Sequence, residues 1–463
     1  MPFSALRREL RELFRLALPL SAAGAGTQLM ALVDIAVIGR LGARELGGSG
    51  LATAIFFSIT VLGMGISLGV DPMIAQAVGA GDRVRARHVM WQGIWLSLIV
   101  AAVLTIPLLF APTLLELFGI APDLVAPARS FLHVRTFSLA PFLIFLILRA
   151  YLQAHGVTRP MLLAVIICNV INLAGDVVFV FGGGGLPAWC GPLRRIPALG
   201  VAGAALATVI ATVIEVAIVA FAIWRLPLPP HDAGPLHRWT PHEILGALRI
   251  GLPVGLQMGA EIGIFALVGL LAGRIGTLPL AAHQLVLSLA SFTYTISVGV
   301  ATAGSVRVAR AIGARDAAAT RLAGHAALVG GIGVMTVAAL AFAFFPRPLA
   351  RLVSDQEDVI ATAIPLFLVA AVFQLSDGVQ AVGSGALRGA ADTRFAFLAN
   401  VTGYWIIGLP VALLLGVSLH MGVVGLWWGL CAGLTVVAVL LFLRFERLSR
   451  SEIAPIRGAG TIH

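Results

Sequence analysis

Twelve long apolar runs dominate this sequence. They fall at roughly 14–38, 50–74, 89–111, 127–152, 160–182 and 200–224, then at 246–271, 279–304, 323–345, 359–384, 396–416 and 422–443. Each has about the 20 residues that an α-helix needs to cross a hydrocarbon core about 30 Å thick. Lipid offers the backbone no hydrogen-bonding partner, so only helices or closed barrels span it. These runs are too long and too uniformly apolar for alternating barrel strands. The chain is therefore predicted to be an all-α membrane protein of twelve transmembrane helices.

Charge supports that class and removes others. Only 11% of residues are charged and 59% are hydrophobic, whereas soluble globular chains carry about 25% charged residues. A soluble enzyme, a nucleic-acid binder and a disordered chain are all poor fits. The net charge is +10, and all 31 basic residues are arginine. Without lysine there is no Schiff-base or Walker A lysine. Three cysteines, Cys168, Cys190 and Cys431, form no metal-binding spacing. Arg7, Arg8, Arg11 and Arg15 precede a first run too long for a signal peptide, so it reads as a retained span.

The arginines also orient the chain. With the N-terminus inside, 22 arginines fall in inside loops and tails and 7 in outside loops, with Arg129 and Arg135 in the fourth span. The positive-inside rule then predicts twelve spans with both ends cytoplasmic.

The two halves repeat at an offset near 234. AQAVGAGD at 75–82 matches ARAIGARD at 309–316, and Arg40-Leu41-Gly42 matches Arg274-Ile275-Gly276. Ala17-Leu18-Pro19-Leu20 matches Gly251-Leu252-Pro253-Val254, and Thr158-Arg159 matches Thr393-Arg394 one residue further apart. An even number of spans per half makes this a parallel repeat, about an axis along the membrane normal. The expected organisation is an N-terminal six-helix lobe (1–225), a proline-rich cytoplasmic linker (226–243), a C-terminal six-helix lobe (244–445) and a cytoplasmic tail (446–463). Two similar bundles around a central cleft suit a rocking transporter better than a channel.

Carboxylates inside lipid-spanning runs mark function by default, because each is costly unless it meets water or a partner. Asp34 lies in the outer part of the first span. Asn172 and Asp176 are four residues apart in the fifth and share a helical face, a pairing suited to proton or sodium handling. Glu261 sits among Gly255, Gly259, Ala260 and Gly263, where small residues let helices approach. Asp377 lies in FQLSDGVQAVGSG, a polar interruption of an apolar run. Asp71, beside Pro72, reads as structural. Glu215 reads as one partner of an ion pair, and Arg135 as a partner for an acid or an interfacial anchor. Phe292, Tyr294, Phe373 and Trp405 are aromatic candidates for a cavity wall that accepts flat lipophilic cations. A carboxylate there can hold a proton, a sodium ion or an organic cation, but not several at once, and that exclusion is the basis of antiport.

Three stretches now carry a resemblance. ALPLSAAGAGTQLMALVDIAVIGRLG at 17–42, GLPVGLQMGAEIGIFALVGLLAGRIGTLPLAAHQ at 251–284 and FQLSDGVQAVGSGALRGAADTR at 373–394 resemble the MATE family of multidrug and toxic compound extrusion transporters, over about residues 12–445. The resemblance implies that Asp34 is the family's coupling acid of the first helix. It implies that Glu261 and Asp377 are the C-terminal-lobe acids of the NorM-type branch, with Na+ as one ion they would hold. Asn172 and Asp176 are similar to the asparagine–aspartate pair of the DinF-type branch, where the N-terminal lobe handles protons. NorM-type members usually have an amide at the Asp176 position, and some have a tyrosine where this chain has Phe373.

The expected function is a secondary antiporter of the bacterial inner membrane. It would export cationic lipophilic compounds in exchange for H+ or Na+, work as a monomer among membrane lipids, and need no cofactor and no nucleic acid. The alternative is a flippase or exporter of lipid-linked saccharides on a related fold. No HExxH, GxSxG or paired-cysteine motif supports a membrane enzyme.

Overall fold

The computed structural model describes residues 3–117, 119–185, 188–226 and 236–456. Linker residues 227–235, tail residues 457–463 and the side chain of Cys190 lie outside the described residues. Among those described, twelve helices are long and apolar enough to cross a membrane. They are α1 (Ser4–Ile38), α2 (Ala43–Gly79), α3 (Arg83–Leu117), α4 (Pro122–Ala154), α5 (Arg159–Phe181), α6 (Val201–Trp224), α7 (Pro241–Ile275), α8 (Thr277–Gly313), α9 (Ala317–Phe344), α10 (Glu357–Gly389), α11 (Thr393–Ser418) and α12 (Gly422–Leu448).

Each predicted run lies on one helix, but several helices overrun their apolar stretch on the arginine-rich side. Helix α1 starts at Ser4, and α3 starts at Arg83. At 1.5 Å per residue a 35-residue helix is about 52 Å long, well beyond the hydrocarbon core. Hydropathy registers only the part in lipid, so the arginine-bearing turns beyond it escape notice. Local chemistry sets the ends. Proline stands in the first turn of α4, α5 and α7, where its missing N–H is harmless. Asp316 caps α9, its carboxylate accepting from the Ala319 N–H at 2.8 Å.

The chain folds as two compact units, here called the N unit (Ala22–Val70 and Arg83–Leu248) and the C unit (Met1–Ser21, Asp71–Asp82 and Arg249–His463). The division follows the sequence halves except at the ends of α1 and α2, which go with the C unit. In that unit Leu13, Leu16 and Ala17 pack with Val300, Ala301, Leu328 and Val382. The Ser21 hydroxyl donates to the Ile296 carbonyl at 3.1 Å, and Arg307 is ion-paired with Glu9. The Gln76 amide donates to the Gly389 carbonyl at 3.1 Å and accepts from the Ile456 N–H at 2.8 Å.

The matched octapeptides meet in a reciprocal contact within the C unit. A Cβ on Gly79 would come within 2.0 Å of the Arg310 carbonyl oxygen, and one on Gly313 within 2.0 Å of the Gln76 carbonyl oxygen. The two contacts map onto each other at the 234-residue offset, Gly79 onto Gly313 and Gln76 onto Arg310, so the sequence repeat is also a repeat of backbone packing. The following turns agree: Gly81 (φ 77°) corresponds to Arg315 (φ 57°), and Gly156 (φ 74°) to Ala391 (φ 59°). A left-handed residue bearing a Cβ costs about 1–2 kcal/mol. Ala391→Gly is therefore expected to stabilise the protein by up to about 1 kcal/mol after the added chain entropy of glycine. The check is a higher apparent Tm in detergent; the reverse change, Gly156→Ala, should lower it.

In the N unit the described end of the linker is strapped to α3. The His88 ring Nδ1 bonds the Leu236 carbonyl at 2.9 Å, and the Gln92 amide donates to the Arg238 carbonyl at 2.8 Å. The Thr240 N–H donates back to Gln92 Oε1 at 2.9 Å. The Trp95 indole donates to the His237 carbonyl at 3.0 Å, with Trp95 edge-on to Trp239.

Candidate functional site

The N unit gathers polar side chains from α1, α4, α5 and α6 in an otherwise apolar bundle. Gly175 permits the approach of α5 and α6: a Cβ there would already touch the Ala207 Cβ at 3.0 Å. Thr208, one residue on, donates to Asp34 Oδ2 at 3.2 Å. The Asn172 amide donates to the Thr208 hydroxyl at 3.5 Å. Asp34 and Asp176 face each other. Asp176 is fully buried, and neither of its oxygens receives a hydrogen bond from another residue's conventional donor. The Arg135 guanidinium lies over the Phe56 ring, 4.9 Å from its centroid, within electrostatic reach of Asp34.

This is an acid pair with one nearby cation. Two negative charges facing each other in a dry interior repel strongly, and a proton or small cation between them relieves the repulsion. The sequence grouping of Asp34, Asn172 and Asp176 is thus one cluster in space. Thr208 was not among the sequence candidates. Its signal is the spacing Thr208, Thr212, Glu215 on one face of α6; Thr212 donates to the Thr208 carbonyl at 2.7 Å, and Glu215 faces the cation of Arg149 and the buried thiol of Cys168.

The C unit holds the second cluster. Glu261 on α7 accepts from the Gln380 amide at 3.2 Å. Asp377, one turn before Gln380 on α10, is buried and within electrostatic reach of Glu261. Tyr294 and Tyr404 face both acids. Asn400 is fully buried with its amide within hydrogen-bonding reach of Glu261, and among the described residues neither its Oδ1 nor the Tyr404 hydroxyl has a hydrogen-bond partner. Asn400 precedes and Tyr404 lies within Val401–Gly408, a π-helical stretch of α11. Such widened turns are frequent at functional sites. The open oxygens of Asn400, Gln380 and Tyr404 around two carboxylates are a hard, oxygen-only set, the type that suits a proton or an alkali cation. Among the described residues no group of three His, Cys, Asp or Glu side chains could hold a metal ion.

The four aromatic candidates separate. Tyr294 faces the acids. The Trp405 indole donates to the Ala260 carbonyl at 3.1 Å, one residue from Glu261. Phe373 is not on an open wall: it is buried, edge-on to Phe265 and Trp427, and belongs to the packed core of the C unit. Phe292 is 58% exposed and takes no part in the acidic cluster. Asp71 is buried and faces the cation of Arg388.

Comparison with known proteins agrees with this architecture. The MatE family profile matches residues 19–178 and 253–414, one stretch in each half. The chain belongs to the MatE family. A probable multidrug resistance protein NorM of Rhizobium meliloti is 36% identical over 456 residues, covering 94% of each chain. Another, of Bradyrhizobium diazoefficiens, is 33% identical over 458 residues, covering 97% of this chain and 96% of its own. In fold, the chain is similar to the Vibrio cholerae MATE transporter VcmN in its bent form, with a TM-score of 0.84, 21% identity, and coverage of 97% and 99%. A MatE chain with twelve membrane-crossing helices is an integral membrane transporter and not an enzyme.

Proposed function

We propose that this MatE transporter exports lipophilic organic cations in exchange for inward-moving H+ or Na+, by alternating access. The observation that carries the reading is that each unit buries a pair of facing carboxylates: Asp34 with Asp176, and Glu261 with Asp377. The names of the relatives, multidrug resistance proteins, support drugs as the exported class. The surplus of acid over cation in both clusters favours cationic over phosphate-bearing cargo.

Each acid pair accepts positive charge as a proton, a sodium ion or a cationic drug. A low-dielectric site does not hold two such charges beyond its own negative charge, so each occupant lowers the affinity for the next. The N unit, with its donor-free Asp176, is the proton-handling cluster in this reading. The oxygen-rich set around Glu261 and Asp377 takes either ion. The protein works as a monomer in the bacterial inner membrane, with both ends cytoplasmic as the arginines indicate.

The test is reconstitution into proteoliposomes with an imposed gradient. Uptake of a fluorescent lipophilic cation against an outward H+ or Na+ gradient, abolished by dissipating that gradient, supports the proposal. Uptake that responds to neither gradient refutes it.

A further inference from the structure

A cavity of about 400 Å³ opens in the C unit where α1 begins, α9 begins and α12 ends. Its walls are Ala5 of α1; Ala317, Ala318, Arg321 and Leu322 of α9; and Ser449 and Arg450 after α12. All three helix ends lie beyond their apolar runs on the arginine-rich side, where the protein would meet lipid headgroups and water. Its chemistry has two parts. Alanine and leucine side chains form a small apolar wall, while two guanidinium groups supply donors.

The arginines are not both spent. One Nη of Arg321 reaches Glu446 at 3.3 Å, a long contact that leaves the side chain 43% exposed. Glu446 is also hydrogen-bonded by the His325 ring, so its carboxylate is already shared. Arg450 is exposed. No carboxylate lines the cavity. The lining is therefore cationic, beside a surface of the size that small ligands fill. Guanidinium forks match phosphate oxygens, and basic pockets between membrane helices take anionic headgroups.

We propose that this cavity binds the headgroup of an anionic phospholipid. The outer guanidinium edge of Arg321 and the Arg450 guanidinium hold the phosphate, and the glycerol backbone rests against Ala5, Ala318 and Leu322. A lipid seated there would bridge the start of α1 to α9 and α12, tying the first turns of the chain into the C unit. Nothing in the transport proposal requires this site, and its test is independent of drug export.

The experiment uses the full-length protein, purified in detergent and depleted of lipid. Phosphatidylglycerol, phosphatidylcholine and inorganic phosphate are titrated separately, with retained lipid read by native mass spectrometry and stability by apparent Tm. Phosphatidylglycerol is expected to be retained and to raise Tm, with phosphatidylcholine and inorganic phosphate having little effect. Arg450→Gln should weaken phosphatidylglycerol binding about tenfold, the scale of one charge-assisted bond. Ala318→Trp, which fills the exposed mouth without changing charge, should weaken it similarly. Arg11→Gln, an exposed arginine outside the cavity, should leave it unchanged. Equal retention of phosphatidylcholine would overturn the proposal. So would inorganic phosphate binding as tightly as the lipid, which would make this a site for soluble anions. Wild-type lipid binding by both cavity variants would overturn it as well.

Discussion

Asp377→Asn and Glu261→Gln are each expected to reduce gradient-driven export at least tenfold while leaving the protein folded. Each variant keeps the shape of the side chain and removes one negative charge from a buried cluster. In the proposed cycle that charge attracts both the inward ion and the outgoing drug, so its loss removes the competition that couples them. One pKa unit of differential interaction is worth about 1.4 kcal/mol, a factor of ten in occupancy. Stability should move the other way. A buried charge without a full complement of partners is a liability, and its neutral amide is expected to give an equal or higher Tm. Efflux from resistant cells, measured beside the melting temperature of the purified variant, checks both halves. Normal resistance with either variant would remove that residue from the mechanism.

Asp34→Asn is expected to shift the pH dependence of substrate release, and Asp176→Asn to shift it as well, because the two carboxylates face each other in one cluster. The sign follows from charge. Protonation of the pair removes the negative charge that holds a cation, so in the wild type release quickens as pH falls. With one acid replaced by its amide, the cluster takes up one proton where the pair takes up two, so the release profile changes in steepness and position. Asn172→Ala should change the profile less, since it removes a neutral amide beside the pair and not one of its charges. Stopped-flow measurement of drug release across pH reads these shifts directly. An unaltered profile in Asp34→Asn would leave that residue a structural role only.

The fold was legible because lipid simplifies the problem. A hydrocarbon core forces every crossing segment to be helical and apolar, so all twelve runs correspond to helices. The helix ends were less legible, because the first turns of α1 and the last turns of α2 carry arginine or polar residues and read as loops. Their membership of the C unit could not be read either. It depends on Leu13 and Leu16 meeting Val300 and Val382, a pairing of distant segments that no local pattern encodes.

The acids of both clusters were legible because a carboxylate within an apolar run is conspicuous. Their neutral companions were not. Thr208, Asn400 and Tyr404 are ordinary residues in membrane helices, and only tertiary packing brings them to the carboxylates. Tyr404 also depends on the π-helical stretch of α11, which no residue in VTGYWIIG announces. Phe373 shows the converse error. One turn before Asp377 it shares a helical face with the acid, yet the ring turns into the core between Phe265 and Trp427. Helical spacing places a residue on a face but does not say whether that face is packed or open.

The central claim is that inorganic cations and exported cations compete for the same buried carboxylates. Equilibrium binding of a fluorescent lipophilic cation to the purified protein, titrated across pH and across Na+ concentration, tests it most directly. Binding is predicted to weaken as H+ or Na+ rises, approaching tenfold per pH unit where protons are the competitor, and to lose that dependence when the acids are replaced by amides. An affinity that stays constant across both titrations would contradict the account.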